Sequence, residues 1–286
     1  MLLLQLLVNG LVTGCLLGVV AVSFSLVYAT TRIFHVAHAG IYSMGGYVAW
    51  SLAAHGVPDL LAVLLAMCAC AGLGALIQHQ LYHRLAQRRA THLVVLIASL
   101  GVLAVIQNSI AAVYSPNLLQ FPGNWTGVVV PLGGVRLTHV QLLILAIGFF
   151  VYGGVMWFAH GTLLGSRMRA VASNPFLAEI TRLQPNDVYV IVIAIASALV
   201  CLPGVLVAYD QGLQPYGGIA VLLTATIAMI AGGVGSITGA FLLSLVIAVL
   251  QNLSLLVMPG EWSIGITFFV FVIFMLFRPR GLFVAR

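Results

Sequence analysis

From Gln211 to Gly260 the chain runs without one charged side chain. A soluble domain does not leave so long a stretch uncharged. A lipid bilayer demands it, because its hydrocarbon core is about 30 Å thick and is crossed by about 20 apolar residues in a helix. This stretch is too long for one crossing. It holds two, broken at Gly232, Gly233 and Gly235. The rest of the chain repeats the pattern: 62% of residues are hydrophobic and 6% are charged, the composition of an integral membrane protein. Backbone polar groups in lipid must be satisfied within their own segment, which for apolar runs of this length means helices. The expected fold is an all-α integral membrane protein, a polytopic helical bundle of about 8–9 transmembrane segments. The segments fall near 5–28, 34–54, 60–80, 92–114, 139–160, 187–209, 218–233, 238–257 and 263–277. The second and seventh are interrupted by glycine and are candidates for broken or re-entrant helices. Residues 1–286 form a single membrane domain on this reading. The N-terminus lacks a basic n-region and a cleavage site, so it reads as the first span.

Charge placement sets the topology. All eleven basic residues besides histidine are arginines. With the N-terminus outside and nine alternating segments, every arginine except Arg136 falls inside, and so does the C-terminus. Cytoplasmic loops of membrane proteins carry this excess of positive charge. The basic balance therefore speaks to anionic lipid and not to nucleic acid. The external loop near 115–138 is rich in Pro and Gly and predicts an irregular lid or a pair of short strands. Asn124, Trp125 and Thr126 inside it fit a glycosylation acceptor, a motif that is common by chance.

Absences narrow the function. A phosphate-binding loop of the Walker type needs a lysine, and the chain has none. No Asp or Glu falls in the middle of a predicted span, where ion-coupled carriers usually keep ionisable groups. No Ser-His-Asp or paired-carboxylate arrangement suggests an enzyme. The four cysteines lie in apolar runs and indicate no disulfide framework. His35 and His38, and His79 and His83, have helical spacing but no acidic or cysteine partner nearby in sequence, so no metal site is expected. What remains is a passive pathway driven from elsewhere.

Two glycine-interrupted stretches are the candidates for that pathway. The early one holds His38, Tyr42, Gly45 and Tyr47; the late one holds Gly232, Gly233 and Gly235. Paired interruptions, one in each half, point to a transport route between repeats. Tight helix packing through small residues is the other reading of the same glycines. A third stretch, the loop near 163–187, carries Arg167, Arg169 and Arg182 against Glu179. Ser166 is placed to cap one short helix. Asn174 followed by Pro175 signals the start of a second, and Pro185 ends the unit. Phe176, Leu177, Ile180 and Leu183 recur at helical spacing. Such a loop is either a rigid knob offered to a soluble partner or a basic loop that only sets topology.

These residues resemble a known family, the LivH-like permease subunits of branched-chain amino acid ATP-binding-cassette (ABC) importers. The likeness rests on Ala37, His38, Tyr42, Gly45 and Tyr47, on Gly165, Arg169, Ala170 and Ala178, on the stretch Ala231 to Ala240, and on the tail Arg278 to Phe283. It covers nearly the whole chain. The sequence departs from the family at His35 to Ala39, where Asn-Phe-Ala-His-Gly is usual, and at Arg182 to Gln184, where Gly-Ile-Asn is typical.

The resemblance implies a coupling helix at Ser173 to Leu183, flanked by Arg167 and Arg169, with Asn174, Phe176, Leu177, Ala178, Glu179, Ile180 and Arg182 meeting the ATPase. It implies two ABC ATPase subunits that bind ATP and Mg, a second homologous permease subunit or a second copy of this chain, and a periplasmic substrate-binding protein. The chain itself would carry no cofactor and no catalytic residue, and would lie in a bacterial inner membrane. Branched-chain or other amino acids are the implied cargo, with urea, other amides and small carboxylates as alternatives. A stand-alone secondary carrier or channel is the rival class.

Overall fold

The computed structural model describes residues 1–121, 129–132, 135–278 and 281–283. The acceptor triplet at Asn124 lies outside them, as do Arg280 and Arg286. Among the described residues seven helices are long and apolar enough to cross a membrane. They are α1 (Leu2–Thr31), the continuous helix Asp59–Gln87, α5 (His92–Tyr114), α6 (His139–Gly161), α9 (Pro185–Gln211), α11 (Ile237–Ser254) and the final helix Gly260–Phe277, whose α-helical part is α12 (Ser263–Phe277). The helix Asp59–Gln87 comprises α3 (Asp59–Ile77), a π turn at Gln78–Tyr82 and α4 (His83–Gln87). Two shorter helices, α2 (His38–Ala54) and α10 (Gly218–Gly232), stand where the second and seventh segments were expected. Two more, α7 (Leu163–Ser173) and α8 (Pro175–Ile180), make up the loop between α6 and α9. The chain is thus a helical, multi-pass membrane protein. Among the described residues the one sheet is a hairpin of β1 (Val129–Leu132) and β2 (Val135–Thr138), which meets the expectation of short strands in that loop.

Helix α1 is the axis of the bundle. Its 30 residues span about 45 Å at 1.5 Å per residue. It packs against α6, α9, α10 and α11. The crossing with α11 is close because Gly10, Gly14 and Gly18 line one stripe, and a side chain there would strike Val249, Leu245 and Phe241. Without a hydrophobic force between helices in lipid, small residues permit the approach that dispersion needs. Gly148 of α6 admits Cys15 from the other side.

Two segments do not run from end to end. Helix α2 begins at His38, beside Ser23, well inside the reach of α1. Residues 32–37 carry the chain inward to it. Helix α10 is 15 residues, about 22 Å, and Gly218 at its start abuts the carbonyl of Ala39. It ends beside the tail: the N–H groups of Leu282 and Phe283 donate to the carbonyls of Ala231 and Gly232, both at 3.0 Å. The loop between α9 and α10 is held by a backbone pair between Leu119 and Leu213 (2.7 and 3.2 Å).

One end of the bundle collects the positive charge. It carries Arg32, Arg84, Arg88, Arg89, the α7–α8 unit with Arg167, Arg169 and Arg182, and Arg278. Among the described arginines only Arg136 stands at the other end, on β2, where its backbone bonds Gln5 at 2.9 Å in both directions.

Candidate functional site: a coupling surface and an interior cleft

The α7–α8 unit is built by its caps. Thr162 caps α7, its hydroxyl accepting from the N–H of Gly165 at 3.0 Å. That is the role expected of Ser166, which instead accepts from the Arg169 guanidinium at 3.2 Å. Asn174 caps α8 through Leu177 N–H at 3.1 Å, with Pro175 in the first turn. Pro185 does not end the unit but opens α9, where its missing N–H costs nothing. No side-chain hydrogen bond caps α9, and Asn186 accepts from Gln78 at 3.3 Å.

Only Ala178 of α8 is buried. Phe176, Leu177 and Ile180 are 70%, 57% and 66% exposed. Arg167, Arg169, Glu179 and Arg182 are exposed around them. Three large apolar side chains of this six-residue helix are thus left uncovered. Beside α7 a cavity of about 590 Å³ runs between Arg32, His160, Arg169, Ser173, Gly235 and Thr238.

The early glycine stretch divides between packing and cavity. Gly45 faces Cys201 and Gly46 faces Gly204 and Leu213, so α2 runs unbroken through both and leans on α9. Tyr47 is buried with its ring 5.0 Å from that of Tyr114. His38 is fully buried, its Nε2 2.9 Å from Ser23 Oγ; Ser23 donates onward to Val20, so the imidazole N–H donates to it. Tyr42 lines a cleft of about 240 Å³ together with Ser43, Gly204, Gln211, Gln214 and Val221.

The late stretch behaves similarly. Gly232 and Gly239 cross so closely that a Cβ on either would overlap the backbone of the other. Gly233 has φ 110° and lies on Phe283. Gly235 lines the cavity near the arginines. The structure therefore does not bring the expected pathway residues into one group: Tyr42 and Gly235 border separate cavities.

A buried polar network escaped the sequence. His35 Nδ1 lies 2.6 Å from Tyr82 Oη, Tyr82 donates to Ser99 Oγ at 2.8 Å, and Ser99 accepts from Ala37 N–H at 3.0 Å. It ties the start of α2 to the π turn and to α5. Extra residues of this kind inside a helix recur at functional sites, but no periodicity marks Gln78–Tyr82 in advance. Replacing Tyr82 by Phe removes two bonds and leaves the buried His35 Nδ1 without its partner, while Ser99 keeps the Ala37 N–H, at a cost of about 1–3 kcal/mol. Thermal unfolding in detergent reads this as a lowered midpoint; an unchanged midpoint shows the network to be slack. Among the described residues no three metal-ligating side chains come together. The histidines 79 and 83 stack on each other at 6.2 Å.

The geometry is that of a multi-pass helical membrane protein with interior cavities and an exposed two-helix loop, and comparison with known proteins gives its family. Residues 6–275 match the family described as branched-chain amino acid transport system / permease component, and the chain belongs to that family. Among its relatives are the high-affinity branched-chain amino acid transport system permease protein BraD of Pseudomonas aeruginosa and its counterpart LivH of Salmonella typhimurium. BraD is 28% identical over 295 residues, covering 98% of this chain and 95% of the relative. LivH is 25% identical over 291 residues, covering 98% and 94%. The chain is a LivH-like permease. Among solved structures, PsaBC from Streptococcus pneumoniae in complex with Fab superposes with a TM-score of 0.53 at 13% identity, over 95% of this chain and 91% of that one. At that identity the likeness speaks for the fold.

Proposed function

We propose that the chain is the non-catalytic permease half of an ATP-driven importer for branched-chain or similar amino acids. The observation that carries this is α8: an exposed apolar face held on a capped helix, at the arginine-rich end, in a chain of the branched-chain permease family. Two ATPase subunits dock there, close on ATP, and move α7–α8 against α6 and α9. The bundle alternates its access, with energy supplied in trans. A second permease subunit completes the pathway and a periplasmic binding protein delivers the solute. The arginine-rich end faces the cytoplasm of a bacterial inner membrane and the hairpin faces outward. Relatives named for branched-chain amino acid transport support that cargo as the first to test.

The test is purification from the native host in mild detergent, with mass spectrometry of what comes along, followed by reconstitution. Two soluble ATPases and leucine uptake that requires ATP are the expected result. Uptake by this chain alone, driven by an ion gradient, overturns the reading in favour of a secondary carrier.

A further inference from the structure

A cavity of about 630 Å³ opens at the arginine-rich end, between the last turn of α1, the segment 32–34 and the first turns of α5. It is far larger than the ~10–15 Å³ that one water needs. Its lining is of two kinds. Arg32 and His92 are polar and exposed, and no carboxylate lines it. Tyr28, Phe34, Leu93 and Leu96 make an apolar wall. Phe34 stands edge-on against Phe24 and Tyr28, with ring centroids 5.2 and 6.2 Å apart. Ile97 and Leu100 follow Leu93 and Leu96 one turn on, on the same face of α5. Leu93, Ile97 and Leu100 are 64%, 58% and 47% exposed, so an uncovered apolar track leads from the cavity along a membrane-crossing helix. Arg32 ends α1 in the left-handed conformation, φ 56° and ψ 16°, where glycine is the usual residue. Its backbone N–H donates to the Tyr28 carbonyl at 3.0 Å, while its guanidinium makes no hydrogen bond or ion pair among the described residues. A free cation over an apolar wall, at the edge of a bilayer, matches a molecule with an anionic head and a hydrocarbon tail. A bare phosphate uses only the first half of that lining, and an uncharged lipid only the second.

We propose that this cavity seats one anionic phospholipid, its phosphate on Arg32 beside His92 and an acyl chain along Leu93, Leu96 and Leu100. Basic pockets between membrane helices recognise lipid head groups in this way. The bound lipid braces residues 32–37, which carry the chain inward from α1 to His38. The inference goes beyond the importer reading and needs only a bilayer around the chain.

The test is native mass spectrometry of the full chain, delipidated in detergent and titrated with three probes. They are dioleoylphosphatidylglycerol, dioleoylphosphatidylcholine, which has the same tails, and glycerol 3-phosphate, which has a head and no tail. Phosphatidylglycerol is expected to give one saturable adduct and to raise the unfolding midpoint. The other two are expected to bind about tenfold more weakly or not at all. Arg32→Gly is expected to weaken phosphatidylglycerol about five- to tenfold. It keeps the lipid-free unfolding midpoint, because glycine accepts the left-handed conformation. His92→Glu is expected to abolish the adduct by setting a carboxylate at the mouth, in a first helical turn that tolerates one. Arg88→Gln, at the same end but outside the cavity, is expected to bind as wild type. Equal binding of phosphatidylcholine or of glycerol 3-phosphate overturns the inference, as does an unchanged adduct in both Arg32→Gly and His92→Glu, or no binding of any probe. Equal weakening in Arg88→Gln and Arg32→Gly also overturns it, since positive charge anywhere at that end then suffices.

Discussion

Leu177→Asp abolishes ATP-driven uptake, by a hundredfold or more, in a chain that still folds and reaches the membrane. Leu177 is 57% exposed and makes no core contact, so its loss costs the fold little. Its neighbours Phe176 and Ile180 share the same apolar face. When an ATPase covers that face, burying leucine contributes about 1.5–3 kcal/mol. An aspartate there must instead be buried without a partner, which costs several kcal/mol more. Each 1.4 kcal/mol is a factor of ten in affinity, so docking fails. The measurement is paired: ATP hydrolysis and solute uptake in proteoliposomes, with the unfolding midpoint as control. Normal uptake in Leu177→Asp removes α8 from the coupling surface and leaves the loop as a basic topology marker.

Gly232→Ala yields little or no folded protein. A single methyl at Gly232 would overlap the carbonyl carbon and oxygen of Gly239, both backbone atoms that cannot swing aside. Overpacking of this kind costs about 1–3 kcal/mol, and more where backbone must move. Here three elements meet, since the Gly232 carbonyl also receives the N–H of Phe283. Membrane yield and detergent unfolding report the loss. A second variant, Gly72→Ala, is the control: nothing lies within 4 Å of that position, and it should behave as wild type. A folded, active Gly232→Ala would mean that α10 and α11 can separate there without loss.

These two sites also show what could be read in advance. The cap at Asn174 and the apolar spacing of Phe176, Leu177 and Ile180 are local signals, complete within seven residues, and α8 forms where they place it. The gathering of arginines at one end follows from chain order alone. The glycines were legible only as places of close approach. Sequence named Gly45 and Gly232 without naming Cys201 or Gly239, because the partner in each case lies on another helix. His38 was visible as a buried histidine, but its partner Ser23 lies 15 residues away on α1 and carries no mark of that role. The network of His35, Tyr82 and Ser99 depends on a π turn that shifts the register of one helix, and hydropathy is blind to such a shift. Tyr42 was singled out for its place in a motif. That it borders a cleft is a property of the packed bundle, not of the string.

The strap that closes the foot of α10 also imposes an order of assembly. Ala231 and Gly232 leave the ribosome well before Leu282 and Phe283, whose N–H groups they await. Until then two carbonyls at the end of α10 lack their partners, and Gly233 has nothing to lie against. The helix is threaded early and locked late. Cleavage or stalled synthesis between Phe277 and Gly281 should therefore leave every long helix in place yet the foot of α10 unlatched, which is the kind of defect membrane quality control is built to detect.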